Sequence, residues 1–232
     1  MAPFVRLAAV MAALVCTAPP LASAGETSGG PRERVDVATA PWSAVGQVNN
    51  AAYGRCTGVL IGPRKALTAA HCLYNAQTKR FLQPGSVHFV LGYDRGAYAF
   101  ATTLSGIEIP EGYDPARPIE TIAYDIAVLH LGAPAPRTIE PLAIATAELP
   151  HGARLSAAGY GRDRLYALSA VRDCRVERSD PMNLVLAGCP ILNGYSGGPL
   201  IDAAGRLVAI ISATGREADG IVLSVRPTTQ FD

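Results

Sequence analysis

The sequence predicts an all-β fold, a sandwich or barrel, with two barrels side by side fitting the spacing. Three observations carry this. The apolar stretches are short, dominated by valine, isoleucine and leucine, and punctuated by Gly, Pro and Asp at fairly regular spacing. No long segment shows an apolar period of 3.6 residues. The run "GAPAPRTIEP", Gly132 to Pro141, is the best linker and divides the strand candidates into two comparable groups.

In chain order, the first group is "SAVGQV" (Ser43–Val48), "TGVLIG" (Thr57–Gly62), "ALTAA" (Ala66–Ala70), "SVHFVLG" (Ser86–Gly92) and "DIAVLHL" (Asp125–Leu131). The second is "RLSAAGYG" (Arg154–Gly161), "NLVLAG" (Asn183–Gly188), "PLID" (Pro199–Asp202), "RLVAIISATG" (Arg206–Gly215) and "IVLSV" (Ile221–Val225). No internal repeat relates the two groups.

Residues 1–24 read as a secretory signal peptide. Arg6 supplies the basic start, Leu7–Val15 a brief apolar run, and "ASA" at Ala22–Ala24 the small-residue cleavage site. The run is too short to span a bilayer, and no later stretch is long and apolar enough to do so. Residues 25–34, "GETSGGPRER", read as a flexible leader or short propeptide. The remainder, 35–232, divides into a first barrel over about 35–132, a linker over 133–141 and a second barrel over 142–232.

Of 232 residues, about 200 remain after the signal, ample for a real core. The formal charge is +1 with acids and bases interspersed, which argues against a nucleic-acid or polybasic membrane role. The expectation is an exported monomer, extracellular or periplasmic, with no membrane association after signal removal.

Five cysteines are present, and Cys16 lies in the signal. The other four, Cys56, Cys72, Cys174 and Cys189, form an even set that reads as two disulfides in an exported chain. Three pairings are open. Pairing sequence neighbours closes two short loops, each worth about 3 kcal/mol in the chain-entropy model. No CxxC pair is present, which argues against structural zinc.

The stretch "NGYSGGPL", Asn193–Leu200, carries the chemistry. Glycines flank Ser196 and Pro199 stiffens the exit, so the backbone path is tight. That composition suits an ordinary turn, and also suits a hydroxyl held beside backbone N–H groups for attack on a carbonyl. "GYSGG" matches the nucleophile elbow of α/β-hydrolases, whose histidine follows the serine. Here His71, His88, His130 and His151 all precede Ser196, so that fold lacks its base. The opposite order is available: His71 in "ALTAAHC", Asp125 opening "DIAVLHL", then Ser196. Each alone has an ordinary reading, as a structural histidine, a strand-end acid and a turn serine. His88, His130 and His151 lack comparable flanking context and receive no role.

Taken together, "CTGVLIGPRKALTAAHC", "DIAVLHL" and "GYSGGPLID", in that order, resemble the chymotrypsin-like serine peptidases. They resemble most the bacterial trypsin-like and glutamyl-endopeptidase-like branch, from about Val37 to the C-terminus. The resemblance implies two six-stranded antiparallel β-barrels with the active site in the cleft between them. It implies a secreted serine endopeptidase acting on polypeptides without cofactor or metal. His71 would be the general base, Asp125 its orienter and Ser196 the nucleophile. The N–H groups of Gly194 and Ser196 would form the oxyanion hole, and Ser212, Ala213 and Thr214 would pair with substrate as an added strand. Cys56–Cys72 matches the family's bridge beside the histidine, while Cys174–Cys189 is less standard in position. The rival expectation is a catalytically inactive secreted binding protein on the same fold.

Two departures bear on activation and specificity. Zymogen-activated relatives carry an aspartate before the nucleophile, which pairs with a new N-terminal ammonium. Tyr195 stands there, and the expected apolar N-terminus is replaced by "RVDVATAPW". The oxyanion loop should therefore form without N-terminal insertion, with Tyr195 held by packing and a hydroxyl hydrogen bond. Pro190 stands where trypsin has its specificity aspartate. Ile210 and Ile211 stand where glutamyl-specific relatives use histidine, so glutamate preference is disfavoured. Asp219 is a candidate for recognising a basic residue.

Overall fold

A computed structural model describes residues 31–50, 54–180, 184–214 and 220–227. The signal-peptide reading, most of the leader and Asp219 lie outside these residues. The strands are β1 Glu33–Arg34, β2 Val45–Asn50, β3 Arg55–Gly62, β4 Lys65–Thr68, β5 Tyr74–Asn75, β6 Arg80–Phe81, β7 Val87–Leu91 and β8 Phe100–Glu108. They continue with β9 Ala127–Leu131, β10 Arg154–Gly159, β11 Ser169–Ser179, β12 Leu184–Gly188, β13 Pro199–Ile201, β14 Leu207–Thr214 and β15 Ile221–Val225. Helical structure among the described residues is confined to short 3-10 turns.

The chain forms two closed six-stranded antiparallel barrels, as the sequence predicts. In the first, strands follow the order β2-β3-β4-β9-β8-β7 and close through β2–β7 pairing. In the second, the order is β11-β10-β13-β14-β15-β12, closed through β11–β12. Closure removes the unpaired strand edges that invite aggregation. Side chains alternate along the strands as the pleat requires: in β7, Val87 and Phe89 are buried and His88 is exposed. Facing glycines make room inside the first barrel. Gly46 pairs with Gly58 across β2 and β3, and a Cβ on either would lie 2.9 or 3.1 Å from the Phe89 ring.

One element was not expected. β1 comes from the segment read as a flexible leader, yet Glu33 and Arg34 pair with Ala170 and Ser169 of β11. The reason is geometric. β11 is long, and β12 pairs only its C-terminal half, from Arg175 to Ser179. β1 covers part of the edge left open at the other half.

The core has two parts. One fills the first barrel and runs on through the outer surface of the second, taking in Tyr160, Leu168, Ile201, Leu207, Ile210 and Val225. The barrels therefore share a continuous apolar contact. Ala135, Ile139 and Leu142, in and beside the linker, are buried in it. The other part fills the second barrel with Leu155, Val171, Val176, Val185, Leu200, Ile211 and Tyr195. Both disulfides join sequence neighbours. Cys56–Cys72 closes on β3 with Cα atoms 6.1 Å apart, and Cys174–Cys189 sits inside the second barrel with 4.7 Å.

Tyr113, Tyr160 and Tyr195 are buried, and loss of hydration pushes each phenol's pKa upward. In the unfolded chain they ionise near pH 10. Above that pH the unfolded state binds fewer protons than the native one, so stability falls as pH rises; below about pH 10 these phenols cost nothing. The check is a titration followed at 295 nm, with near-UV circular dichroism reporting on folding. The three buried phenols should ionise only with unfolding. Ionisation of all nine tyrosines in one step, with near-UV circular dichroism intact, would contradict this packing.

Candidate active site

Strand register brings the histidine and aspartate together. β4 and β9 pair with Thr68 opposite Ala127. His71 follows three residues after Thr68, in a 3-10 turn spanning Ala70–Leu73. Asp125 comes two residues before Ala127, capping a turn spanning Ile122–Tyr124. Both side chains therefore emerge at one end of the first barrel. The disulfide from Cys72 to Cys56 ties the histidine turn to β3.

Asp125 is the buried member, with 5% of its side chain exposed against 35% for His71. Its Oδ1 accepts the His71 backbone N–H at 2.8 Å. Its Oδ2 lies 2.7 Å from His71 Nδ1 and also accepts the Ser212 hydroxyl. A carboxylate is only an acceptor, so Nδ1 carries a proton in this contact, and in the neutral imidazole Nε2 keeps the lone pair. Burying a carboxylate is costly unless hydrogen bonds replace its water, and here both oxygens are bonded.

Register also places Ser196. β13 and β14 pair with Pro199 opposite Ile210, and the ladder continues through Gly197 N–H to Ile211 O at 2.7 Å and Ile211 N–H to Gly198 O at 2.8 Å. The next residues outward are Ser196 and Ser212, and Ser212 holds Asp125. On its other side the serine loop touches the first barrel: Thr57 N–H donates to Ser196 O at 2.8 Å. The structure thus gathers His71, Asp125, Ser196 and Ser212 where the two barrels meet.

The loop's carbonyls are pinned in turn. Leu192 O accepts Tyr195 N–H at 3.2 Å, Asn193 O accepts Arg162 N–H at 2.8 Å, and Gly194 O accepts the Thr57 hydroxyl at 2.8 Å. Tyr195 O accepts Gly198 N–H at 2.7 Å. In a trans peptide the N–H points opposite the carbonyl. Holding Asn193 O therefore aims Gly194 N–H away from Arg162, and holding Tyr195 O aims Ser196 N–H away from Gly198. Among the described residues neither N–H donates to a backbone carbonyl. Gly194 and Gly197 have φ of +104° and +79°, which other residues resist.

Tyr195 is fully buried, as expected from packing, and its hydroxyl lies 2.9 Å from Ser169 Oγ. The ring lies against β10. A Cβ at Gly159 would come within 2.6 Å of it, and one at Gly161 within 3.1 Å.

Several contributors were invisible in the sequence. Thr57, Ser169 and the Arg162 backbone carry no local motif, and Ser212 was read only for its backbone. Ser212, Ala213 and Thr214 end β14. Ala213 and Thr214 pair with Leu223 and Val222 of β15 on one edge, and among the described residues no strand pairs on the other. Pro190 O accepts a hydrogen bond from Arg32 at 3.4 Å, and no specificity carboxylate occupies that position. Of the other histidines, His130 pairs with Glu108 at 2.6 Å, His151 is exposed near Glu177, and His88 is exposed on β7. Cys56, His71 and Cys72 cluster closely, but both sulfurs are joined in the disulfide and offer no thiolate to a metal.

Comparison with known proteins accords with this geometry. Residues 56–210 match the model of the trypsin-like peptidase domain. A trypsin from Simulium vittatum is 26% identical over 208 residues, covering 78% of this chain and 80% of that protein. A Glu endopeptidase structure superposes with a TM-score of 0.75 at 22% identity, covering 89% of this chain and 94% of that one. Human heparin binding protein superposes at 0.66 with 24% identity, covering 84% and 90% of the two chains. With its family model spanning most of both barrels, the chain belongs to the trypsin-like peptidases and is a serine-type endopeptidase.

Proposed function

We propose that this is an exported endopeptidase that hydrolyses polypeptides through a Ser196–His71–Asp125 triad and an acyl-enzyme. The observation that carries the reading is Asp125. A buried carboxylate bonded to both the backbone and Nδ1 of one histidine has the geometry of an orienting group. His71 Nε2 takes the proton of Ser196 Oγ as that oxygen attacks the peptide carbonyl. The carbonyl oxygen becomes an oxyanion held by the N–H groups of Gly194 and Ser196, one such donor being worth about 3 kcal/mol. His71 then gives its proton to the leaving amine. Water repeats the sequence on the ester, releasing the acid and restoring Ser196. Asp125 stays ionised throughout and stabilises the imidazolium. Ser212 to Thr214 offer the substrate a strand edge.

Two disulfides support an oxidising compartment. Although a Glu endopeptidase shares the fold, Ile210 and Ile211 are buried aliphatics in β14, so glutamate preference remains disfavoured. The buried phenol of Tyr195 supports an oxyanion loop that needs no N-terminal ammonium.

Ser196→Ala and His71→Ala should each lower turnover of peptide substrates by several orders of magnitude while the protein stays folded, because triad members act as a unit. A fluorophosphonate probe should label the wild type and fail on Ser196→Ala. A folded wild type that neither hydrolyses peptides nor takes the probe would instead be an inactive binding protein.

Activity should rise with pH as His71 loses its proton, since only neutral imidazole accepts the Ser196 proton. A rate independent of pH from about 5 to 9 would contradict histidine as the base.

Tyr195→Phe should cost about 1 kcal/mol of stability through the lost bond to Ser169. Tyr195→Ala should cost about 3–5 kcal/mol and also lower turnover, both measured by urea unfolding and steady-state kinetics. No change in either quantity would show that the loop does not depend on this side chain.

A further inference from the structure

We propose that Thr57 is a positioning residue for the oxyanion loop, its hydroxyl fixing the peptide that follows Gly194. The proposal rests on the reading of Gly194 and Ser196 as oxyanion donors.

Thr57 is fully buried in β3, and every polar group it has is engaged. Its N–H donates to Ser196 O at 2.8 Å, and its C=O accepts the Thr68 hydroxyl at 2.8 Å. Its Oγ1 accepts Tyr160 N–H at 3.0 Å and donates to Gly194 O at 2.8 Å. The hydroxyl proton has no choice of direction: a backbone N–H only donates and a carbonyl only accepts, so the proton points to Gly194 O. One side chain of the first barrel thus joins the end of β10 to the serine loop, across sequence separations of 103 and 137 residues.

The consequence lies in the two dihedrals of Gly194. Its preceding peptide is fixed by Arg162 N–H on Asn193 O, and its following peptide by the Thr57 hydroxyl on Gly194 O and, within the loop, by Tyr195 N–H on Leu192 O at 3.2 Å. With both planes held, Gly194 N–H cannot turn. Glycine itself supplies almost no resistance, since it moves freely among backbone conformations that other residues avoid. Without Oγ1 the following peptide keeps only the 3.2 Å bond from Tyr195 N–H to Leu192 O, which lies within the loop itself, and the loop can then carry the donor away from the position the oxyanion takes. Such a loss acts on the transition state, where charge develops, and spares ground-state binding.

The test compares wild type, Thr57→Val, which keeps the shape and removes the hydroxyl, and Thr57→Ser, which keeps the hydroxyl. With a chromogenic peptide amide, Thr57→Val should lose kcat by roughly 10–100-fold, below the cost of deleting a donor outright. KM should stay within about twofold and the pH midpoint should not move. Thr57→Ser should recover kcat to within about threefold. Affinity for a peptidyl trifluoromethyl ketone, whose adduct bears an oxyanion, should fall by about the factor lost in kcat. Unchanged kcat in Thr57→Val, a loss confined to KM, or no recovery by folded Thr57→Ser would each overturn the proposal. Amide hydrogen exchange over 192–196 gives a readout independent of turnover. It should quicken in Thr57→Val and not in Thr57→Ser, and no acceleration would overturn the anchoring role. A wild type inert to substrate and to fluorophosphonate would remove the functional reading and, with it, the oxyanion role.

Discussion

The serine loop lies in a slot with no room for a side chain at its glycines, and the rest of the site depends on that lack of clearance. A Cβ on Gly197 would lie 2.1 Å from both Thr57 O and Thr68 Oγ1. One on Gly198 would lie 2.2 Å from Ala158 O, and one on Gly194 2.3 Å from Tyr160 O. The obstructing atoms belong to β3 and β4 of the first barrel, and to β10 and the residue after it in the second. Backbone therefore packs on backbone from both sides, and short hydrogen bonds become possible where side chains would hold the strands apart. The site is consequently a property of the assembled pair of barrels. Neither barrel alone supplies the walls of the slot.

Asp125 shows the same dependence in electrostatic form. Two of its bonds come from the His71 residue of its own barrel, and the third from Ser212 of the other. If the barrels separated, the carboxylate would lose the Ser212 hydroxyl and be exposed to water. The imidazole would then be held less firmly. Docking of the barrels, driven by the shared apolar core, thereby dehydrates Asp125 and completes the hydrogen bonds of the carboxylate that holds His71.

Much of this was legible in the sequence, for local reasons. Tight glycine geometry, the cysteine beside His71 and the acid just before β9 are each written within a few neighbouring residues. Short runs rich in valine, isoleucine and leucine, broken by Gly, Pro and Asp, outline the strands. What could not be read was contact between distant segments. The Thr57 hydroxyl bonds residues more than a hundred positions away, so nothing in "CTGVL" distinguishes it from any strand threonine. Arg162 acts through its main-chain N–H, to which its side-chain identity contributes nothing. β1 is not legible in the sequence because "GPRER" has the composition of a leader. Its pairing depends on how far β12 extends along β11, a matter of register rather than composition.

Tyr195 joins the packing of the slot to its electrostatics. In activated relatives the residue before the nucleophile is an aspartate, and a buried charge there needs a counter-charge delivered by cleavage. A phenol in its place needs only apolar walls and one hydrogen-bond partner, both of which the second barrel supplies on folding. A neutral buried group is satisfied as soon as the chain folds, whereas a buried carboxylate without its ammonium is destabilising until processing occurs. On the function proposed above, Tyr195 stands as a packed latch where zymogen-activated relatives carry an electrostatic one. The glycines at 159 and 161 are the other half of that latch, since any side chain at either would meet the ring.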